Sequence, residues 1–363
     1  MTVSGGGPHV DGGAEPTESS TLSLDDGDIH VCQDGPRDAP ALLLVHGSAS
    51  STRSWDPLVP MLTGSHHVIR IDLLGHGRSA EPADRSYALP DQARRADAAL
   101  DRLGVEHAVV VGHSSGGVAA TALAEQRPDL VTALALIDIG PGLDAFIAPQ
   151  SAAPGLPQWP PTDEQLRRMA STAVSRAGHR IPPELLEDVR RMTLHTFTAT
   201  MRATRAYLEQ RVLPDRLAAL GTPLLVIFGE DDRRWRSSSA ADYHAVPGAK
   251  VELLPGLGHS PMLEDPPRTD GHPSAGLHHE PRRTSRTDGP TDVLQADRTT
   301  PYGRTERRRT GGLNDAERTD LVTPNGRTER QGGTPCGFSS PVPASPARCS
   351  RTGSPDTASP SPS

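Results

Sequence analysis

The chain carries almost no lysine. Of its 37 basic residues only Lys250 is one, and the other 36 are arginines. It has three cysteines in 363 residues, Cys32, Cys336 and Cys349. They are too few and too scattered for a disulfide framework or a cysteine zinc site. No apolar run approaches the roughly 20 residues that a membrane span needs. The opening stretch MTVSGGGPHVDGG has no basic segment and no apolar core, so no secretory leader is expected and a cytoplasmic location is the default. Net positive charge is missing too. A formal net charge of −8 supports neither nucleic acid nor an acidic membrane surface as a partner, which leaves a small-molecule substrate. Hydrophobic residues make up only 34% of the chain, below the usual globular share. That shortage is local. The stretch from about Thr21 to Glu264 is rich in Leu, Val and Ala, and the two flanks are not.

This contrast divides the chain into three regions. Residues 1–20 are rich in Gly, Pro and Ser and are expected to be flexible. Residues 21–267 form one folded domain. Residues 268–363 repeat Arg-Thr with interleaved Asp and Glu, lack apolar periodicity, and are expected to be a disordered, low-complexity tail. The interleaved acids cancel the arginine field, which argues against a nucleic-acid-binding arm. The tail reads instead as a GC-rich gene translated out of register after about Pro267.

Within the domain, strands and helices alternate. Short strand-like pieces lie near Leu22–Leu24 and Ile29–Cys32. Ala41–Val45 (ALLLV) is a continuous apolar run that suits a strand buried on both faces. Further strands are expected at His67–Ile71, His107–Val111, Val131–Ile137, Pro223–Phe228 and Lys250–Leu254. Helices are expected at Ser54–Leu62, Asp91–Leu103 and Ser115–Gln126. This order implies an α/β fold with a mostly parallel sheet covered by helices on both faces. From about 142 to 220 the alternation stops and only helical patterns appear, at Asp163–Ser175, Pro183–Thr193 and Thr196–Gln210. The segment reads as a helical cap inserted at the carboxyl edge of the sheet, over a binding crevice.

Residues 109–117 read VVVGHSSGG. Gly112-His113-Ser114-Ser115-Gly116 matches G-x-S-x-G, a weak signal alone. The strand before it and the helix after it supply the context for a serine on a sharp turn. A serine hydroxyl needs a base, and the base needs a carboxylate to hold its tautomer. In this architecture the order is serine, acid, histidine. Gly229-Glu230-Asp231-Asp232 comes after a strand and supplies the acids, with Asp232 favoured and Asp231 next. Asp138, at the end of another strand, is a further candidate. Pro255-Gly256-Leu257-Gly258-His259 supplies a histidine on a glycine loop. An oxyanion needs two N–H donors, expected from the backbones of Ser48 and Ser115. His113, His46 and His76 read as packing or turn residues, Asp72 as structural or at the pocket rim, and Trp55 and Trp235 as packing. His66-His67 and His278-His279 are adjacent pairs that cannot easily share one metal ion, and no cofactor is called for.

Taken together, LLLVHGS (42–48), Trp55, RIDLLGHGRS (70–79), VVVGHSSGG, LLVIFGEDD (224–232) and LPGLGHSPMLEDP (254–266) resemble the α/β-hydrolase family, specifically its capped, esterase-like serine hydrolases. The resemblance spans about Thr21 to Pro266. It implies a mostly parallel eight-stranded sheet flanked by helices, a cap after the sixth strand, a Ser114–Asp232–His259 triad and hydrolysis of a carboxylic ester or related acyl compound through an acyl-enzyme. Serine at 114 argues against the relatives with aspartate there, the epoxide hydrolases and haloalkane dehalogenases. The same scaffold also hosts C–C bond hydrolases, lyases and cofactor-free haloperoxidases. One departure stands out: the family closes with a helix after the histidine loop, and here LEDPPR leads into the tail. That departure admits a catalytically inactive relic as well.

Overall fold

The computed structural model describes residues 17–148 and 159–270. The out-of-register tail and most of the flexible N-terminus expected from the sequence lie outside the described residues. The strands are β1 (Glu18–Leu22), β2 (Ile29–Asp34), β3 (Ala41–Val45), β4 (His67–Ile71), β5 (Ala108–His113), β6 (Val131–Ile137), β7 (Leu224–Gly229) and β8 (Lys250–Leu254). They form one sheet in the order β1-β2-β4-β3-β5-β6-β7-β8. β2 runs antiparallel to both its neighbours, and every other pairing is parallel. β1 begins at Glu18, ahead of the expected strand at Leu22–Leu24 and inside the segment expected to be flexible. Its sequence ESSTL is polar and largely exposed at the sheet edge, so no apolar pattern marks it.

The central strands read as unbroken apolar runs because both faces are covered. Alternate residues of one strand go to opposite faces. Leu43, Val45, Val110, Leu134, Leu136, Val226 and Phe228 enter one core. Leu42, Leu44, Val111, Ala135, Ile137, Leu225 and Ile227 enter the other. The first core is closed by α2 (Leu89–Arg102) and α3 (Ser115–Gln126), which pack together through small residues such as Ala93, Ala96, Ala120 and Ala124. The second is closed by a 3-10 turn at Thr52–Trp55, by α1 (Val59–Leu62) and by α8 (Pro261–Glu264). The sequence suggests one helix over Ser54–Leu62. It is broken instead, because Pro57 has no N–H with which to continue the first turn.

Between β6 and β7 the described residues form a 3-10 turn at Leu143–Ala145 and four helices: α4 (Asp163–Ala170), α5 (Pro183–Arg191), α6 (Leu194–Gln210) and α7 (Leu213–Leu220). All fall within the expected cap segment. Thr162 and Gln165 start α4 with a reciprocal pair of hydrogen bonds, so two N–H groups at the helix start are satisfied. Side-chain bonds tie the segment to the sheet domain. Ser51 Oγ donates to Asp188 Oδ2 at 2.6 Å, and the Tyr87 and Thr196 hydroxyls are 2.8 Å apart.

After β8 the chain makes α8 and then α9 (Pro266–Asp270), two short helices that take in LEDPPR, with Met262 and Leu263 buried in the second core. Residues 271–363 lie outside the described residues.

Candidate active site

The β5–α3 junction is shaped by close approach. A Cβ on Gly112 would sit 2.5 Å from the Gly116 carbonyl oxygen, and one on Gly116 would sit 2.3 Å from the Val45 carbonyl oxygen. Only glycine fits at either position, so the turn can be sharp. Ser114 stands at its apex with φ 52° and ψ −125°, a strained backbone for a side-chain-bearing residue. The Ser114 N–H donates to Ile137 O and its carbonyl accepts from Gly117 N, each at 2.8 Å. These two bonds hold the strain in place, and the side chain is only partly buried.

Ser115 is the first residue of α3, where a helix leaves N–H groups without internal partners. Ser48 lies on the neighbouring loop after β3, and its hydroxyl donates to Ser115 Oγ at 2.8 Å. That bond draws together the two residues whose N–H groups are expected to serve an oxyanion. A cavity of about 20 Å³ lies beside them, lined also by Leu73, Tyr87, Gln92 and Thr200. Thr200 belongs to α6, so the cap segment forms part of its wall.

His259 and Asp232 meet. The imidazole Nδ1–H donates to Asp232 Oδ2 at 2.8 Å, and neither side chain is exposed. Asp232 Oδ1 accepts the N–H groups of Arg234 (2.7 Å) and Trp235 (3.2 Å). Burial pushes the Asp232 carboxyl upward, but the His259 charge and bond and these two N–H groups outweigh it and hold it below its usual range. Burial depresses His259 despite Asp232, so the imidazole is neutral at neutral pH. Its Nε2 is buried and has no hydrogen-bond partner among the described residues. The Ser114–His259 hydrogen bond is therefore not formed in this conformation.

The other acids are sorted by the same geometry. Glu230 and Asp231 are exposed. Asp138 is fully buried after β6, and its Oδ1 accepts the Gly229 N–H at 2.8 Å. It does not bond His259. Atoms of Asp138, Asp232 and His259 lie within 4.8 Å of one another, a spacing a cation could bridge. Two of the three side chains are already engaged with each other, so the cluster suits proton sharing.

Three supporting residues are only partly legible in the sequence. His113, read as packing, donates from Nε2 to the His259 carbonyl at 2.7 Å, so the serine turn holds the histidine loop directly. Burial keeps its ring neutral. Glu264 is buried and accepts the N–H groups of Gly258, Ser175 and Arg176, tying that loop to the cap segment. Asp72 proves structural: it accepts from Thr52 N, Arg78 N and His30 Nδ1. His46 bonds loop backbone at Gly47 O and Leu73 N, and burial drives His76 down to about 3. Trp55 and Trp235 are buried, Trp55 edge-on to His113 and Trp235 against Phe146. No helix among the described residues is long and apolar enough to cross a membrane.

Residues 40–266 match the family described as the alpha/beta hydrolase fold. An uncharacterized protein of Mycobacterium tuberculosis is 32% identical over 249 residues, covering 63% of this chain and 72% of the relative. The sn-1-specific diacylglycerol lipase ABHD11 of Mus musculus is 29% identical over 244 residues, covering 62% and 77%. Among solved structures, the carboxylesterase CesB of Bacillus subtilis superposes with a TM-score of 0.62 at 21% identity, covering 72% of this chain and 92% of that one. With the eight-stranded sheet and the family match across most of the described residues, the chain belongs to the α/β hydrolase family.

Proposed function

We propose that this hydrolase is a serine enzyme that cleaves a carboxylic ester or related acyl compound. The observation that carries the reading is the state of His259. Nδ1 is bound to a charged Asp232, and Nε2 is buried, neutral and unpartnered at the sheet rim that also carries Ser114. That is an imidazole equipped to accept a proton. In unliganded sites the bond from nucleophile to base is often long and tightens when substrate binds.

In the proposed sequence, the Ser114 oxygen attacks the acyl carbon while its proton moves to His259 Nε2. Asp232 stabilises the imidazolium. The N–H groups of Ser48 and Ser115 receive the oxyanion. Collapse of the tetrahedral species passes the proton from Nε2 to the leaving alkoxide, and the alcohol departs. Water then attacks the acyl-enzyme, giving its proton to Nε2, and the acid is released as Ser114 recovers its proton. A lipase among the sequence relatives and a carboxylesterase among the structures support acyl chemistry.

The test is labelling with a fluorophosphonate and then peptide mapping. The expected product is a single adduct on Ser114 that Ser114→Ala abolishes, together with all turnover of a short p-nitrophenyl ester. A folded wild-type protein that neither labels nor turns over the ester would overturn the proposal.

A further inference from the structure

β6 and β7 are adjacent parallel strands, with Ile137 paired to Ile227. Their carboxyl ends therefore bring two acids together, Asp138 one residue past β6 and Asp232 three residues past β7. Asp138 is 0% exposed. Its backbone has φ 49°, in the left-handed region that a side-chain-bearing residue seldom occupies. The fold therefore holds this carboxyl in place against some strain. One oxygen accepts Gly229 N–H, and the other, Oδ2, is buried with no partner among the described residues. Asp232 and His259 each offer an atom within 4.8 Å of this group.

Two buried carboxyls this close do not both ionise. Asp232 has an imidazole and two backbone N–H groups to stabilise its charge, and Asp138 has one N–H. The remaining ionisable neighbours are Glu264 on α8, which further disfavours a charge on Asp138, and Arg234 and His113, which act on Asp232 and His259. The proton therefore belongs on Asp138. Burial and the Asp232 charge raise its carboxyl well above the usual range.

We propose that Asp138 is a neutral carboxylic acid that positions Asp232, its Oδ2–H directed at the Asp232 carboxylate. The proposal rests on the reading of Ser114, His259 and Asp232 as the reacting group. By donating to Asp232, Asp138 fixes the carboxylate that orients His259 and withdraws charge from it. The imidazole is thereby kept less basic than a lone aspartate would make it.

Two substitutions and one spectrum test this. Asp138→Asn keeps a neutral donor of the same shape. The acid limb of its kcat/KM profile is expected to stay where the wild type's lies, with turnover reduced no more than about threefold. Asp138→Leu keeps the volume and loses the donor. Its acid limb is expected to move up by roughly one pH unit, because Asp232 then lends its full charge to His259. A structural role alone would lower the melting temperature and leave the limb in place. Difference infrared spectroscopy between wild type and Asp138→Asn at neutral pH is expected to show the carbonyl band of a protonated acid, lost in the variant. That band needs no turnover, so it reads out even if the esterase reading fails and Asp138→Leu does not fold. Absence of the band, a limb that falls in Asp138→Asn as it would on removing a negative charge, or a folded Asp138→Leu with an unmoved limb would each overturn the proposal.

Discussion

Among the described residues two buried histidine–aspartate pairs share the same 2.8 Å Nδ1–Oδ2 bond, and their imidazoles are shifted in opposite directions. His30 and Asp72, on β2 and just past β4, form an ion pair. The bond to Asp72 raises His30 to about 9. Burial pushes Asp72 upward, yet His30, His46 and the N–H groups of Arg78 and Thr52 bring it down to about 2. His259 is depressed instead. Distance does not separate the pairs; their surroundings do. His30 lies beneath the exposed edge strand β1, with Nε2 on Ser19 Oγ at 2.9 Å. Both of its nitrogens donate, so it is fully used in holding structure. His259 is sealed from solvent, Nε2 is left free, and its carboxylate faces a second acid. A histidine serves as a base when one nitrogen is held and the other is spare.

Neutralising each aspartate in turn separates the two pairs most strongly. Asp232→Asn is expected to lower kcat on an ester by about 10⁴-fold, because Nδ1 loses its acceptor and the tautomer its hold. The melting temperature should barely move. Asp72→Asn is expected to do the reverse, removing about 3–5 kcal/mol of stability by stranding a buried His30 charge, with kcat per folded molecule nearly unchanged. Urea unfolding beside turnover normalised to fluorophosphonate-labelled sites measures both. If Asp72→Asn abolished turnover in a stably folded protein, the division into a structural and a reacting pair would be wrong.

The pairs should also part company in pH. His30 has a raised folded pKa, so its contribution is complete below about 6.5, the unfolded value, and is lost as pH climbs through about 9. After discounting for solvent near the sheet edge, the loss is on the order of 2 kcal/mol. His259 has a lowered pKa, so ester turnover should be constant near neutrality and fall only in acid, below the usual histidine range. Melting temperature and kcat/KM across pH 5–10 test this, since stability should decline where activity does not. A profile in which both fell together in alkali would show that one group governs both.

How far these differences can be read in the sequence depends on sequence distance. ALLLV, VTALALI and LLVIFG are legible as strands because burial on both faces leaves an unbroken apolar run. The serine turn is legible because two glycines are obligatory there. α7 lies beyond the helical patterns expected in the cap, though LPDRLAAL carries its signals: Pro214 near the start, leucines at 213, 217 and 220, and a left-handed Gly221 at the end. Its eight residues are too few for the period to stand out. The choice of Asp232 over Asp231 is one of facing, since the turn after β7 buries one and exposes the other. The bond from His113 to the His259 carbonyl spans 146 residues and depends on the sheet order, which no local pattern records. The Asp138–Asp232 approach likewise exists only because β6 and β7 are neighbours.

The smallest expected effect tests whether the second nitrogen matters. Ser19 lies on β1 and bonds His30 Nε2, whereas Nε2 of His259 has no counterpart. Ser19→Ala removes that acceptor and leaves the Asp72 bond intact. Because the site is at the sheet edge, water replaces much of what is lost, and the cost should be about 0.5–1 kcal/mol. The informative reading is directional. A protonated His30 loses an oxygen acceptor at Nε2 and keeps Asp72 and the Cys32 sulfur, so its pKa should fall and the alkaline loss of stability should begin at lower pH than in the wild type. Melting curves across pH 6–10 would detect the displacement. An unmoved alkaline transition would mean that Ser19 has no part in setting the His30 charge, and that the spare nitrogen of His259 is not what distinguishes the two pairs.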